Sequence, residues 1–367
     1  MKKILIGFIS SGKGGGLDQY LLNFFHMVNS DAVQFHFLTN RATEPLRQEL
    51  AQGHASLYEV PSLMHPVQQY RRIRKLIREN HYDIAYFNIS TAIAYPAVKA
   101  AHDGGVAKVY VHSHSAGYDC ENALKRRMMT ALHRLLKGPL CRSANGFYTC
   151  SDKAAAWLFT KDICCSGKVH RIQNAVDTAS FAFSPEKRRV LREQFGIADK
   201  FVIGTVGNMV YQKNQLFLID VFQRIAEREP RAVLVIIGDG VLRHALEEKI
   251  DACGLREKVL LLGRVNASDG YMSAFDVFAL PSNFEGMPIV SVEAQCSQLP
   301  CVFSDTITRE AEISNMCDFV PLGDIDTWVK MLLHYQGVDR KEMRIVSDLS
   351  SFDINSQKSA LMNILCG

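Results

Sequence analysis

Residues 278–305 read FALPSNFEGMPIVSVEAQCSQLPCVFSD, and the fold class follows from this stretch. The apolar run Asp276–Leu280 predicts a buried strand that ends at a Pro-Ser pair. A polar turn follows at 283–288, and the apolar periodicity after it predicts a helix carrying Glu293. Cys301–Phe303 predicts the next strand. Strand, turn, helix and strand make half of a doubly wound α/β sheet, which binds ligands at the carboxyl ends of its strands.

The turn in this stretch has the chemistry of a ligand site. Gly286 allows close approach of the backbone to a ligand, and the amide groups at the start of the next helix favour negative charge. Glu285 and Glu293 are about two helical turns apart, so we expect both carboxylates to face one pocket. This combination suits a ligand with hydroxyl groups at both ends and phosphate between them, such as a nucleotide sugar. A surface turn with two solvated glutamates is the alternative.

Length and composition indicate a globular chain of two domains. The chain has 367 residues, of which 47% are apolar and 22% are charged. No apolar stretch is long enough to span a bilayer. The start, MKKILIGFISSGKGGG, leads into a glycine loop instead of a cleavage site, so we expect a first strand and no signal peptide. Ten scattered cysteines without metal-ligand spacing favour reduced thiols and a cytoplasmic location.

Charge is distributed unevenly along the chain. Residues 1–178 hold 22 Lys and Arg against 13 Asp and Glu, whereas the remainder holds 20 against 25. Two predicted helices concentrate the positive charge, one at 66–80 and one that includes 125–127 and 134–137. The basic residues of the first helix are Arg71, Arg72, Arg74, Lys75 and Arg78. Such a helix is either a solvated face or a surface for an anionic membrane, and both interpretations stay open.

The other apolar segments predict two sets of strands. In the first half they are Lys3–Ile9, Gln34–Thr39, Ser56–Val60, Asp83–Phe87, Lys108–His112, Gly146–Ser151 and Lys168–Gln173. In the second half they are Phe201–Thr205, Arg231–Ile237 and Val259–Leu262, followed by the two strands of the opening stretch. The repeated plan predicts two α/β domains, each with a doubly wound parallel sheet.

Two further segments of the first half carry candidate ligand groups. The glycine-rich turn at 10–16 precedes a helix, which gives an anion-friendly terminus, although it lacks the order of a P-loop or a dinucleotide fingerprint. A purely structural turn is its alternative. His112 and His114 are two apart at a strand end and therefore point the same way, which makes a metal site conceivable. No cysteine or carboxylate cluster of matching spacing lies nearby, and a histidine that satisfies backbone groups is the simpler interpretation.

Five motifs in one order resemble a known family. They are GKGGG at 12–16, HSHS at 112–115, QNAVD at 173–177, GN-x4-K at 207–213 and E-x7-E at 285–293. The chain resembles the family 4 glycosyltransferases, within the group that makes bacterial capsules and exopolysaccharides. The resemblance implies the GT-B fold, in which two Rossmann-like domains face an interdomain cleft and the last helix crosses back to the first domain. The implied domains are 1–177 with about 350–367, and 178–349.

The resemblance also assigns site residues. It implies that His114, beside the transferred sugar, Lys213 and Glu285 are catalytic. The implied donor-binding residues are Gly15, Gly16, Gly207, Asn208, Lys213, Arg264, Val265, Glu285, Gly286, Met287, Pro288 and Glu293. Gly14–Gly16 resembles the glycine loop near the donor phosphates, Arg264 and Val265 would lie along the nucleobase, and Glu293 would hold the ribose hydroxyls. Asn208 is a departure, since the family usually has an arginine there to bind the diphosphate.

The implied function is transfer of a sugar, with retention, from a nucleotide-sugar donor. The donor is expected to be UDP-linked, and the acceptor is expected to be a growing surface polysaccharide or a lipid-linked oligosaccharide. We expect no cofactor, no metal and no nucleic-acid partner, and a cytoplasmic protein for which attachment to the inner face of the membrane stays open. Two alternatives remain: a nucleotide-sugar epimerase on the same fold, and a non-catalytic relative that binds a nucleotide sugar.

Overall fold

The computed structural model describes residues 1–10, 15–265 and 268–366. The chain forms two compact units. The first unit comprises Met1–Tyr118, Asn122–Asn174 and Gln357–Gly367, and the second comprises Asp119–Glu121 and Ala175–Ser356. The last helix therefore begins in the second unit and ends in the first, as expected.

The first unit is built on a parallel sheet. Its described strands are β1 (Lys2–Gly7), β2 (Val33–Thr39), β3 (Ser56–Glu59), β4 (Ile84–Ile89), β5 (Lys108–Ser113), β6 (Gly146–Thr149) and β7 (Val169–Arg171), in the order β3-β2-β1-β4-β5-β6-β7. Its helices are α1 (Gly16–Val28), α2 (Glu44–Gln52), α3 (Pro66–Asn80), α4 (Tyr95–Asp103), α5 (Ala123–Arg142), α6 (Asp152–Leu158) and α7 (Lys161–Cys165). Every pair of neighbouring strands is parallel, so helices connect them.

The second unit repeats this plan. Its described strands are β8 (Phe201–Val206), β9 (Ala232–Ile237), β10 (Val259–Gly263), β11 (Val277–Leu280), β12 (Cys301–Ser304) and β13 (Cys317–Val320), in the order β10-β9-β8-β11-β12-β13. Its helices are α8 (Pro185–Gln194), α9 (Gln215–Arg228), α10 (Arg243–Ala252), α11 (Asp269–Ala274), α12 (Ile289–Cys296), α13 (Ile325–His334) and α14 (Ile354–Cys366), the last shared with the first unit. The sequence did not predict β13, because it is four residues long and includes Asp318.

Buried apolar side chains fill the space between each sheet and its helices. In the first unit, Phe24 and Phe25 of α1 pack with Phe35 and Phe37 of β2. The end of α14 joins the same core through three buried side chains, Leu361, Ile364 and Leu365. Because strands of a parallel sheet are covered on both faces, they read as continuous apolar runs, which is why the sequence predicted most of them.

The strand orders confirm two Rossmann-like, doubly wound parallel sheets. In each sheet the direction of winding reverses once, between β1 and β4 in the first unit and between β8 and β11 in the second. Doubly wound sheets bind ligands at the carboxyl ends of the strands on either side of such a switch point. The loops that follow β1, β4, β8 and β11 are therefore where functional residues are expected.

The packing of α14 on the first unit gives a testable prediction. The chain has two tryptophans, and Trp157 lies in the first unit while Trp328 lies in the second. In a Trp328→Phe background, Trp157 fluorescence therefore reports unfolding of the first unit in urea. We expect Leu361→Ala to lower the free energy of unfolding of that unit by about 2–5 kcal/mol, because it removes a fully buried side chain. The control, Asn363→Ala, changes an exposed residue of the same helix and should stay within about 0.5 kcal/mol.

Candidate functional site

The loop after β8 is held by backbone contacts at the carboxyl end of the second sheet. The amide of Gly207 donates to the carbonyl of Ile237 at 2.9 Å, and the amide of Gly238 donates to the carbonyl of Gly263 at 2.8 Å. Gly238 has φ of 134°, and a Cβ atom there would lie 2.1 Å from the carbonyl oxygen of Gly207. Only glycine fits this position, so the ends of β8, β9 and β10 lie in close contact.

Gly207 also makes room for Lys213. A Cβ atom at Gly207 would lie 3.0 Å from Cε of Lys213, so the aliphatic part of the lysine lies across the glycine. The Nζ atom of Lys213 is 2.6 Å from Oε1 of Glu285, which belongs to the loop after β11. The structure thus brings together two of the residues that the sequence proposed as catalytic.

Glu285 is the centre of a small polar cluster. Its side chain is 6% exposed and that of Lys213 is 16% exposed. Besides Lys213, the carboxylate accepts hydrogen bonds from Oγ of Ser282 at 2.8 Å and from Nε2 of Gln212 at 2.8 Å. A buried ion pair needs such further hydrogen bonds to offset the loss of water. Glu285 and its partners are therefore preorganised.

The two loops of the switch point are also joined by main-chain contacts. The amide of Asn283 donates to the carbonyl of Gln212 at 2.8 Å, and its Nδ2 donates to the carbonyl of Tyr211 at 2.6 Å. The hydroxyl group of Ser304, at the end of β12, donates to the carbonyl of Ser282 at 2.6 Å. The neighbouring ends of β8, β11 and β12 thus hold one another in register.

Glu293 differs from Glu285. It lies in the second turn of α12, half-buried, and its carboxylate makes no hydrogen bond to the part of the chain that the structure describes. Burial raises its pKa to about 7, with a further upward effect from Asp269 and a downward effect from Lys213. A half-buried carboxylate without donors is suited to accept hydrogen bonds from a ligand.

One step of the sequence reasoning about these glutamates was wrong. Glu285 precedes α12, which begins at Ile289, so the two carboxylates are not separated by two turns of one helix. Both carboxylates interact with Lys213 instead, because the lysine pairs with Glu285 and its charge acts to lower the pKa of Glu293.

The other proposed donor residues of the second unit lie at the same edge of the sheet. Gly286, Met287 and Pro288 lead directly into α12, and Arg264 and Val265 directly follow β10, with Arg264 exposed. Asn208 follows Gly207, and its carbonyl accepts a hydrogen bond from Nε2 of Gln215 at 3.0 Å. Sequence reasoning did not single out Gln215, which is buried at the first position of α9 and braces the loop.

Asp119 is a further residue near this cluster. It belongs to a short segment, Asp119–Glu121, that is part of the second unit although the segments before and after it belong to the first. Its Oδ1 accepts a hydrogen bond from the amide of Gln212 at 3.0 Å. Burial raises its pKa, and the charge of Glu285 adds to this while Lys213 opposes it. No motif contains Asp119, so it could not be singled out from the sequence.

In the first unit, the proposed Gly15 and Gly16 are exposed at the start of α1. Gly14, which completes the predicted loop, lies outside the described residues together with residues 11–13. Before this gap, the amide of Ser10 donates to Oδ1 of Asp18 at 2.8 Å, and its hydroxyl group donates to Oδ2 of the same carboxylate. Asp18 thereby ties the end of β1 to the first turn of α1.

His112 and His114 lie at the carboxyl end of β5 and point the same way, with ring centroids 4.0 Å apart. Nε2 of His114 is 2.9 Å from Oδ1 of Asn88 on β4. Burial lowers the pKa of His114 to about 3. Both rings are therefore neutral at physiological pH, since burial also lowers the pKa of His112.

Among the described residues, no three His, Cys, Asp or Glu side chains come together in a way that could hold a metal ion. The chain does contain an Asp-x-Asp pattern at 324–326, which sequence reasoning overlooked. Asp324 caps α13 by accepting a hydrogen bond from the amide of Thr327 at 3.1 Å, and Asp326 pairs with Arg224 at 2.7 Å. These contacts give both carboxylates a local structural role.

Two family models match this chain, one mainly in the first unit and one in the second. The family model described as Glycosyltransferase Family 4 matches residues 14–180, and the model described as Glycosyl transferases group 1 matches residues 187–318. EpsF of Bacillus subtilis, named as a glycosyltransferase, is 28% identical over 374 residues, covering 99% of this chain and 96% of EpsF. The UDP-Gal:alpha-D-GlcNAc-diphosphoundecaprenol alpha-1,3-galactosyltransferase of Escherichia coli is 28% identical over 298 residues, covering 78% of this chain and 74% of that enzyme.

Among solved structures, HepE of Anabaena in complex with UDP-glucose matches with a TM-score of 0.80 at 19% identity, covering 100% of both chains. Two Rossmann-like units of this kind make the GT-B fold of these solved structures, and the two family models identify the chain as a glycosyltransferase. The chain belongs to glycosyltransferase family 4. In the described residues, no helix is both long and apolar enough to cross a membrane.

The unsatisfied carboxylate of Glu293 gives a pH-dependent prediction. Folding raises the pKa of Glu293 from 4.5 to about 7. Such an acid contributes fully to stability below its unfolded pKa, and this contribution is lost as the pH rises through its folded pKa. At pH 8, Glu293→Gln should therefore raise the melting temperature of the free protein by about 2 °C or more. At pH 5.5 the gain should shrink, because Glu293 is then largely protonated.

Differential scanning calorimetry at both pH values makes this measurement. Glu285→Gln is the matched control, because it breaks a satisfied ion pair and should lower the melting temperature at both pH values. A gain from Glu293→Gln that is equal at pH 8 and pH 5.5 would contradict the assigned ionisation.

Proposed function

We propose that the chain is a retaining glycosyltransferase that uses a UDP-sugar as donor. The acceptor is a hydroxyl group of a growing surface polysaccharide or of a lipid-linked oligosaccharide. The proposal rests on the Lys213–Glu285 ion pair at the switch point of the second sheet and on Glu293, whose carboxylate has no hydrogen-bond partner among the described residues. In such a donor, the Lys213 cation matches the diphosphate, the preorganised carboxylate of Glu285 matches the sugar, and the carboxylate of Glu293 matches the ribose.

Each group has one role in the proposed reaction. The acceptor oxygen bonds to the anomeric carbon on the face from which the bond to the β-phosphate oxygen breaks. The electron pair of that bond stays on the diphosphate, which also takes the proton of the acceptor hydroxyl group. Lys213 and the first amides of α12 stabilise the negative charge that develops there. In this proposal no metal ion takes part.

Glu285 and Glu293 bind different parts of the donor. Glu285 holds Lys213 in place and accepts from hydroxyl groups of the sugar, whereas Glu293 accepts from the two ribose hydroxyl groups. His114 of the first unit lies beside the transferred sugar. Support for a UDP-sugar comes from HepE, solved with UDP-glucose, and from the galactosyltransferase of Escherichia coli, whose name gives UDP-Gal as donor.

The test separates nucleotide binding from transfer. We expect Glu293→Ala to weaken UDP binding by about 10-fold to 100-fold, the effect of losing hydrogen bonds to a charged group. We expect Glu285→Gln to leave UDP binding within about threefold and to reduce transfer, because the glutamine can still fill the site while the ion pair that positions Lys213 is lost. Lys213→Ala should nearly abolish transfer, and Asn208→Arg should keep or raise donor affinity. Calorimetric titration with UDP and initial rates of transfer make the measurements.

The controls in this experiment distinguish the alternatives. The double variant Lys213→Ala/Glu285→Gln removes the unpaired carboxylate that Lys213→Ala alone would leave, so a persistent loss of transfer reports on the lysine charge and not on folding. A panel with GDP-mannose and UDP-sugars, run with and without EDTA, tests the nucleotide and the absence of a metal. An epimerase would convert the donor without any acceptor, and a non-catalytic relative would bind it unchanged. Equal loss of UDP affinity in both glutamate variants would contradict the assigned roles.

We also propose that the first unit meets an anionic membrane through α5. Three apolar side chains of this helix are largely exposed: Leu124 at 69%, Met128 at 65% and Leu135 at 75%. Their spacing of about one and two helical turns places them on one stripe. The basic residues Lys125, Arg127 and Arg134, all exposed, flank this stripe. An apolar stripe between cations is the pattern of a helix that lies in a membrane interface.

Co-sedimentation with vesicles tests this surface. We expect binding to vesicles that contain anionic lipid and release as salt is raised, because salt screens the attraction. Replacing Lys125, Arg127 and Arg134 with Gln should weaken binding on the order of 100-fold, since each cation contributes about 1 kcal/mol. Replacing Leu124, Met128 and Leu135 with Ser should weaken it even in high salt. Val346→Ser, which changes an exposed apolar residue of the second unit, is the control. Wild-type protein that ignores anionic vesicles at low salt would contradict the proposal.

A further inference from the structure

A layer of polar side chains lies between the first sheet and α1, where an apolar core is expected. Tyr86 and Asn88 belong to β4, His112 to β5 and Tyr20 to α1, and all four are buried. His114 follows directly after β5 and is half-buried. Buried polar groups cost stability unless they are paired, so a layer of this size calls for a function. It lies at the switch point of the first sheet, between β1 and β4, and at the adjoining end of β5.

Two separate hydrogen-bonded systems make up this layer. In one, the hydroxyl groups of Tyr20 and Tyr86 are 2.9 Å apart, and the hydroxyl group of Tyr86 is 2.5 Å from Nδ1 of His112. In the other, Nε2 of His114 is 2.9 Å from Oδ1 of Asn88. The two systems meet through ring contacts, since the centroid of His114 lies 4.0 Å from that of His112 and 4.7 Å from that of Tyr20.

The second system determines the protonation of His114. A carboxamide oxygen only accepts hydrogen bonds, so Nε2 of His114 carries the proton and donates it to Oδ1 of Asn88. In a neutral ring, Nδ1 then holds a lone pair and accepts a hydrogen bond. The neighbouring His112 is also uncharged, and the rings of Tyr20 and His112 pack against that of His114.

We propose that Asn88 is a positioning residue for glycosyl transfer. By accepting the Nε2 proton of His114, it holds this histidine in one orientation and one neutral tautomer, with the Nδ1 lone pair as an acceptor for polar hydrogens of the substrate. The inference rests on the proposed function, in which His114 lies beside the transferred sugar. It adds that His114 assists transfer as a neutral hydrogen-bond acceptor of fixed orientation, and not by giving or taking a proton.

Two further contacts support this assignment. The amide of His114 donates to the carbonyl of Ile89 at 3.4 Å, so the backbone of the histidine is also held by the end of β4. The ring of Tyr20 packs against that of His114 with centroids 4.7 Å apart. Asn88 and the end of β4 on one side and Tyr20 of α1 on the other thus orient one imidazole ring, which is more than a structural histidine at a strand end needs.

Histidine-selective 15N labelling and long-range 1H–15N correlation spectra test the tautomer without any assay of activity. We expect His114, assigned with a His114→Gln variant, to be a single neutral tautomer protonated at Nε2 from pH 6 to pH 9. In Asn88→Ala the signals should shift toward a mixture of tautomers. His133 is an internal control, because its Nε2 donates to the carbonyl of Trp157 and its spectrum should not change. A protonated ring, a proton at Nδ1 or an unchanged tautomer in Asn88→Ala would overturn the proposal.

Kinetics give the second readout. We expect Asn88→Ala to lower kcat about 100-fold, the effect of misplacing a group at the reacting centre, with UDP affinity unchanged. Asn145→Ala removes an amide that is hydrogen-bonded to the backbone at Ala107 and Val109, at the other end of the sheet, and should leave kcat unchanged. Asn88→Asp keeps the shape but favours the imidazolium form, which lacks the Nδ1 lone pair, so its kcat should fall as the pH is lowered.

The kinetics of the variants distinguish a failure of the proposed function from a failure of the role proposed for Asn88. If His114→Ala keeps full kcat, the placement of His114 beside the sugar is wrong, whatever the spectra show. If His114→Ala is inactive while Asn88→Ala has normal kcat and Asn88→Asp has the pH profile of wild type, the proposed function stands and the role of Asn88 is overturned.

Discussion

The ion pair between Lys213 and Glu285 is the interaction on which the candidate site of the second unit depends. Its partners are 72 residues apart in sequence and lie in the loops that follow β8 and β11. They meet because the sheet order places β8 beside β11. Removing one partner of a buried pair costs about 3–5 kcal/mol, since the other charge remains without water, so the pair also restrains both loops. The same contact therefore shapes the site and supplies its positive charge.

Each unit carries polar groups where its sheet changes winding direction, and the two units satisfy them differently. In the second unit, full charges are paired across two loops, and the carboxylate of Glu293 makes no hydrogen bond to the described residues. In the first unit, neutral side chains form short hydrogen-bonded systems that hold two imidazole rings uncharged. The two switch points thus differ in charge, since the second unit has ionised groups there and the first has neutral ones.

The sequence predicted the fold well because parallel strands are long apolar runs with glycine-rich loops between them. It also proposed donor loops, because the residues of each motif lie close together in sequence, and their role in donor binding stays a prediction. It did not predict Asp119, Asn88 or Gln215, because these residues act through contacts between segments that are distant in sequence. It also placed Glu285 and Glu293 on one helix, although α12 begins after Glu285. Residue spacing relates two side chains by helical turns only if both lie within the helix. Here α12 begins after the Gly-Met-Pro turn, so Glu285 lies outside it.

The last helix has a consequence for how the protein is made. Leu361, Ile364 and Leu365 of α14 fill the core of the first unit, although residues 175–356 belong to the second. During synthesis the chain emerges from its amino terminus, so the first sheet leaves the ribosome long before the helix that completes its core. The described strands of the second unit are therefore all synthesised before the helix that completes the core of the first unit. The amino-terminal unit is therefore the last to reach its final stability, and a fragment ending at the junction of the units would expose the apolar surface that α14 covers.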